Sequence, residues 1–97
     1  MNNKKLIELE KMTKISEFFR TYKKLLDTCN EIQTLIEANC LKSRLCGPLA
    51  DLTLYNYQIE AFYDSCEIML PQAYIKYRNA TQLYSKTRNM IMNYLDK

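Results

Sequence analysis

The sequence predicts an all-α protein, and three observations carry that expectation. Two apolar runs advance in steps of three and four: Ile15, Phe18, Tyr22, Leu25, Cys29, Ile32 and Ile36, then Leu52, Tyr55, Ile59, Phe62, Cys66, Met69 and Ala73. This spacing places each set along one side of a helix, in the manner of a coiled-coil seam. Gly47-Pro48 stands between the runs as the expected reversal, and with one Gly and two Pro in 97 residues little else interrupts a helix.

The first helix is expected over about residues 3–43. Leu6, Leu9 and Met12 extend its apolar residues toward the start, and Thr13 offers an alternative beginning as a cap, which would leave residues 1–12 as a separate turn or arm. Lys42 and Arg44 bring positive charge to its C-terminal end, where the helix dipole favours it. The Gly-Pro turn is expected at about 44–50 and a second helix at about 51–96, kinked or broken at Pro71. From Glu67 to Tyr74 there is no Gly, Asn, Asp or Ser to build a reversing turn, and the apolar pattern runs through the proline. The favoured architecture is therefore an antiparallel hairpin of two long helices with a kink at Pro71. A three-helix bundle with a turn at Pro71 is the alternative.

The chain is read as one helical domain with a thin core. Two helices alone would leave one side of each stripe uncovered, so the hairpin is expected to pair into a homodimeric four-helix bundle. No apolar run approaches the length of a membrane span and no secretory leader is evident, so a soluble, intracellular, cytoplasmic protein is expected. Val and His are absent, while Lys, Asn, Ile and Tyr are abundant. That bias fits an AT-rich coding sequence, as in low-GC bacteria, phages, large DNA viruses and mobile elements.

Charge is segregated along the chain. Residues 1–24 hold seven Lys or Arg against three acids, residues 73–97 five against one, and residues 45–72 none against four. In a hairpin the two basic segments would meet at the end away from the turn, gathering Lys4, Lys5, Lys11, Lys14, Lys23, Lys24, Lys76, Arg78, Lys86 and Arg88. Such a basic end could engage phosphates, but net charge is only +3 and no helix-turn-helix, finger or basic-zipper pattern accompanies it.

Catalysis and cofactors find little purchase. With no His, the commonest general base is missing and a cysteine nucleophile lacks its usual partner. Glu60, Asp64 and Glu67 share a face that could attract a cation, but a solvated acidic face explains them better. Cys29, Cys40, Cys46 and Cys66 lack metal-knuckle spacing. In a hairpin centred near residue 47, Cys29 would fall opposite Cys66, making that pair a possible disulfide. Cys40 and Cys46 would flank the turn, so two nested bridges could form, against four free thiols with two of them in the core. No metal, cofactor or catalytic residue is expected.

What remains is a surplus of tyrosine, eight in the chain with no Trp. Tyrosine suits interfaces because its ring is apolar and its hydroxyl tolerates water. Tyr57, Tyr63, Tyr74 and Tyr77 fall beside or off the main seam and are the candidate partner contacts. The expected function is a non-enzymatic protein–protein interaction module, an adaptor, inhibitor or antagonist working through helix faces. A nucleic-acid-associated regulator using the basic end is the alternative.

Overall fold

The computed structural model describes the backbone of residues 2–65 and 71–97. Among these residues the chain forms three α-helices and one short 3-10 turn, with no strand: α1 (Asn2–Glu37), the turn (Lys42–Leu45), α2 (Cys46–Ser65) and α3 (Pro71–Leu95). The all-α expectation holds. Of its two arrangements the molecule takes the second, a three-helix bundle in which each helix packs on the other two.

The direction of α3 decides this. Its last turn is tied to the α1–α2 connection: the Tyr94 hydroxyl donates to the Cys40 carbonyl, and Lys42 Nζ donates to the Leu95 carbonyl at 3.1 Å. The chain has therefore returned to the end where α2 began, so α2 and α3 lie antiparallel and Pro71 opens a helix rather than kinking one. Proline suits a first helical turn, where the N–H it lacks would have no intrahelical acceptor. The lysine at the exposed C-terminal carbonyls also complements the helix dipole.

The breaker between α1 and α2 is Asn39, not Gly47-Pro48. Asn39 has φ of 54°, a left-handed conformation that Asn tolerates better than most residues. The Cys40 N–H reaches back to the Leu35 carbonyl at 3.1 Å and the Asn39 N–H to the Ile36 carbonyl at 3.0 Å. These two bonds make a Schellman cap, which satisfies carbonyls that the helix end would leave bare. The helix ends at Glu37, some six residues before the expected boundary. Gly47 has no positive φ, and a Cβ there would meet nothing within 4 Å. Gly47 and Pro48 instead occupy the first turn of α2.

The core is made by Phe18, Leu25, Cys29 and Ile32 of α1, Leu45 of the turn, Leu52 and Ile59 of α2, and Ala73, Ala80 and Ile91 of α3, all buried. Both apolar runs read from the sequence contribute to it, as far as Phe62 in the second; Cys66 and Met69 lie outside the described residues. The third helix contributes a seam of its own at 73, 77, 80, 84, 87, 91 and 94, alternating four and three. Ala73, Ala80, Thr87 and Ile91 are buried, and Tyr77, Tyr84 and Tyr94 half-buried. Small residues on this seam let the helix axes come close, since interaxial distance follows the side chains at the contact. α3 thus supplies the third layer that the hairpin reading had assigned to a second copy.

α1 is longer than its partners. Its 36 residues span roughly 54 Å, against roughly 30 Å for α2 and roughly 37 Å for α3, and the molecule measures 60 × 20 × 16 Å. Residues 3–14 are exposed along their whole length. Helix continues through Thr13, whose hydroxyl donates to the Leu9 carbonyl at 2.8 Å, so Thr13 is an interior residue and not a cap.

Candidate functional site

Three of the four tyrosines singled out from sequence come together where α2 ends and α3 begins. Tyr63 stacks on Tyr77 with ring centroids 4.3 Å apart and planes 17° from parallel, and Tyr74 leans on Tyr63 at 6.4 Å. Tyr63 and Tyr77 are half-buried, so much of their ring area goes into joining α2 to α3. Burial first, then the carboxylates of Glu60 and Asp64 and the neighbouring Tyr63, push the Tyr77 hydroxyl above its ordinary value, against a hydrogen bond from Thr81. Tyr74 keeps an open face, and Tyr57 stands apart from the cluster on the outside of α2, 69% exposed.

The basic residues are spread along the molecule and do not gather at one end. The expectation assumed that residues 73–97 run away from the turn alongside residues 1–24, whereas α3 runs back toward the turn. Lys76, near the start of α3, lies over Tyr22 and Phe19, with Nζ 4.8 Å and 5.8 Å from the ring centroids. Lys86 and Arg88 flank Thr87, which meets Cys29 at mid-bundle. Lys4, Lys5, Lys11 and Lys14 lie on the projecting part of α1, Lys23 and Lys24 are exposed farther along it, and Arg78 is exposed on α3. Beside Lys76, two shallow hollows of about 310 and 340 Å³ share Asn79; Tyr22, Leu83 and Lys86 line one, Gln72 and Ile75 the other.

Cys29 is a free, buried thiol, Cys40 a half-buried one and Cys46 an exposed one. Burial raises the Cys29 thiol above its ordinary range, and a hydrogen bond from Thr87 partly offsets this. A thiol held protonated is a poor nucleophile, and Cys29 serves as a small core residue. The proposed partner Cys66 lies outside the described residues, as does Glu67 of the acidic trio. Among the described residues no group of three His, Cys, Asp or Glu side chains is placed to hold a metal ion, and no helix is long and apolar enough to cross a membrane.

Two exposed apolar surfaces go beyond the sequence reading, which names Tyr57, Leu6, Leu9 and Met12 without placing them on such faces. The first is the outer face of α2, where Ala50, Leu54, Tyr57 and Ala61 repeat in steps of four, three and four and are all exposed. They lie on the opposite side of the helix from Leu52, Tyr55, Ile59 and Phe62, so α2 is apolar on two faces, and it is the most apolar of the three helices. The signal was present in the spacing, but two of the four positions are alanine and do not stand out in a helix already given one stripe. The second is the projecting part of α1, where Leu6, Leu9 and Met12 are 55%, 58% and 66% exposed. They do not extend the seam. Stepping back by sevens from Leu25 and Phe18 reaches Lys11 and Lys4, and from Cys29 and Tyr22 reaches Ile15 and Glu8. The seam positions become charged before Ile15, which leaves α2 and α3 nothing apolar to pack on.

No family model, curated protein or solved structure matches this chain. The class defined by its own residues is a three-helix bundle with a filled core, a projecting α1 and a second apolar face on α2.

Proposed function

We propose that this chain is a small, non-enzymatic protein–protein interaction module, of the adaptor, inhibitor or antagonist kind, that works by presenting helix faces to a protein partner. One observation carries the reading: outside the three-helix core, Ala50, Leu54, Tyr57 and Ala61 stand exposed on α2 in helical register, with Tyr74 and Ile75 exposed on α3. Scattered exposed apolar residues need no explanation, whereas a stripe in helical register is the form in which one helix recognises another. The homodimer expected from sequence is not required by this reading, since α3 covers the stripes that a second copy would have covered. A nucleic-acid-associated role draws less support, because its basic residues are distributed along the molecule and Lys76 is engaged with two rings. The AT-rich bias is what supports an origin in a phage, virus or mobile element.

Site-specific photocrosslinkers placed at Tyr57, Tyr74 and, as a buried control, Phe18 test the reading in the source cells. Discrete protein adducts at Tyr57 or Tyr74 and none at Phe18 are expected, with the adducts lost in a Leu54→Asp, Ile75→Asp background that still folds. No adduct at either tyrosine would overturn the reading.

A further inference from the structure

We infer that the outer face of α2 docks a basic amphipathic helix of a partner protein, with apolar residues on its Ala50–Leu54–Tyr57–Ala61 stripe and lysine or arginine beside its carboxylates. The inference rests on the interaction-module reading and names the partner chemistry.

Shape comes from the stripe, whose steps of four and three residues match the spacing at which a second helix presents its own apolar side chains. Leu54 and Tyr57 are the large knobs, 49% and 69% exposed, and Ala50 and Ala61 at either end leave room for the partner's side chains. Charge supplies the sign of the partner. Asp51, Glu60 and Asp64 are exposed around the stripe, and α2 has no Lys or Arg anywhere in its length. Among the described residues none of the three takes part in an ion pair or side-chain hydrogen bond, although Glu60 and Asp64 also lie close enough to the Tyr77 hydroxyl to act on its proton. A basic helix would satisfy stripe and carboxylates at once, whereas an acidic one would bring like charges together on both flanks. The hollows along α3 are less suited to this occupant, because Lys76 and Lys86 border them.

The test uses the full chain, isotope-labelled, and two synthetic helical peptides with the same leucine stripe, one flanked by lysines and the other by glutamates. The lysine peptide is expected to shift the resonances of Ala50, Leu54, Tyr57 and Ala61 and to bind at least about tenfold tighter than the glutamate peptide at low salt, the preference shrinking as salt is added. Glu60→Lys with Asp64→Lys should invert the preference in a chain that circular dichroism shows to be still folded, because both residues are exposed. Equal binding of the two peptides, tighter binding of the glutamate peptide, or shifts confined to the α3 hollows would overturn the inference and leave the module reading intact. Concentration-dependent shifts on this face in the protein alone would assign it to a second copy and overturn the inference likewise. A face inert to both peptides, in a chain that also yields no crosslinked partner, would sink the inference and the module reading together.

Discussion

The two parts of α1 differ in what holds them. From Ile15 to Glu37 the helix has Phe18, Leu25, Cys29 and Ile32 under the other two helices and ends in a cap at Asn39. From residue 3 to residue 14 the same helix, with residues of comparable helix propensity, has Lys4, Glu8 and Lys11 at the equivalent positions and no residue buried. The contrast teaches that helix propensity extends the backbone conformation, while burial at seven-residue repeats determines which part belongs to the folded body. Most helical stability in proteins comes from packing an apolar face rather than from propensity.

Carboxylates placed on each side of this divide should separate the two parts most sharply. Phe18→Asp and Ile32→Asp bury an unpaired charge and should cost about 3 kcal/mol or more, enough to unfold so small a domain. Leu9→Asp, on the projecting part, should change unfolding free energy by less than about 0.5 kcal/mol. Urea titrations followed by circular dichroism compare them, and a large loss in Leu9→Asp would show that the projecting part is packed after all.

An alkaline titration probes the packed part alone. Burial raises the pKa of Cys29, Tyr77 and Tyr94 above their ordinary values, so the folded chain holds these protons more tightly than the unfolded one. Their stabilisation is complete below the unfolded values, about 8.5 for Cys and about 10 for Tyr, and is lost as pH rises through the higher folded values. The melting temperature should fall from about pH 9 upward. Tyr94→Phe removes both the proton and the bond to the Cys40 carbonyl, so it should lower the melting temperature at neutral pH and make the alkaline decline shallower. An unchanged decline in that variant would remove Tyr94 from the account.

The smallest effect sharpens the comparison from the stabilising side. Gly47 sits in helical conformation in open space, so Gly47→Ala should stabilise by about 0.4 to 1 kcal/mol, mainly by restricting the unfolded chain. In amide hydrogen exchange, that gain should appear as slower exchange across residues 18–32 and leave residues 3–14 as they were, because only the former open with the whole bundle. A loss of stability would mean that Gly47 is needed for its turn, as first read from the sequence.

Much of this molecule is legible along the chain. The repeat of Phe18, Leu25 and Ile32 with Leu52 and Ile59 is enough to state two helices and their facing sides. The turn was misplaced because Gly-Pro is the stronger local signal, while Asn39 ends α1 only through the Schellman bonds closed around it. The tyrosines were legible as a surplus, but whether each is packing or surface depends on the neighbour it meets. Tyr63 and Tyr77 are drawn together by the antiparallel contact of α2 and α3, and Tyr57 is left outside.

By itself the sequence determined helical periodicity, the acidic character of α2 and the basic character of the chain on either side of it, since these are properties of local spacing and composition. The tertiary structure alone decided the direction of α3. That choice turns on Ala73, Ala80 and Thr87 fitting closely against two other helices and on Tyr94 and Lys42 closing the far end, contacts between residues up to 54 positions apart. The same choice dispersed the basic residues and covered the first two stripes. It also left the outer side of α2 as an apolar face exposed among the described residues, because a helix in a three-helix bundle can turn only one side to the core.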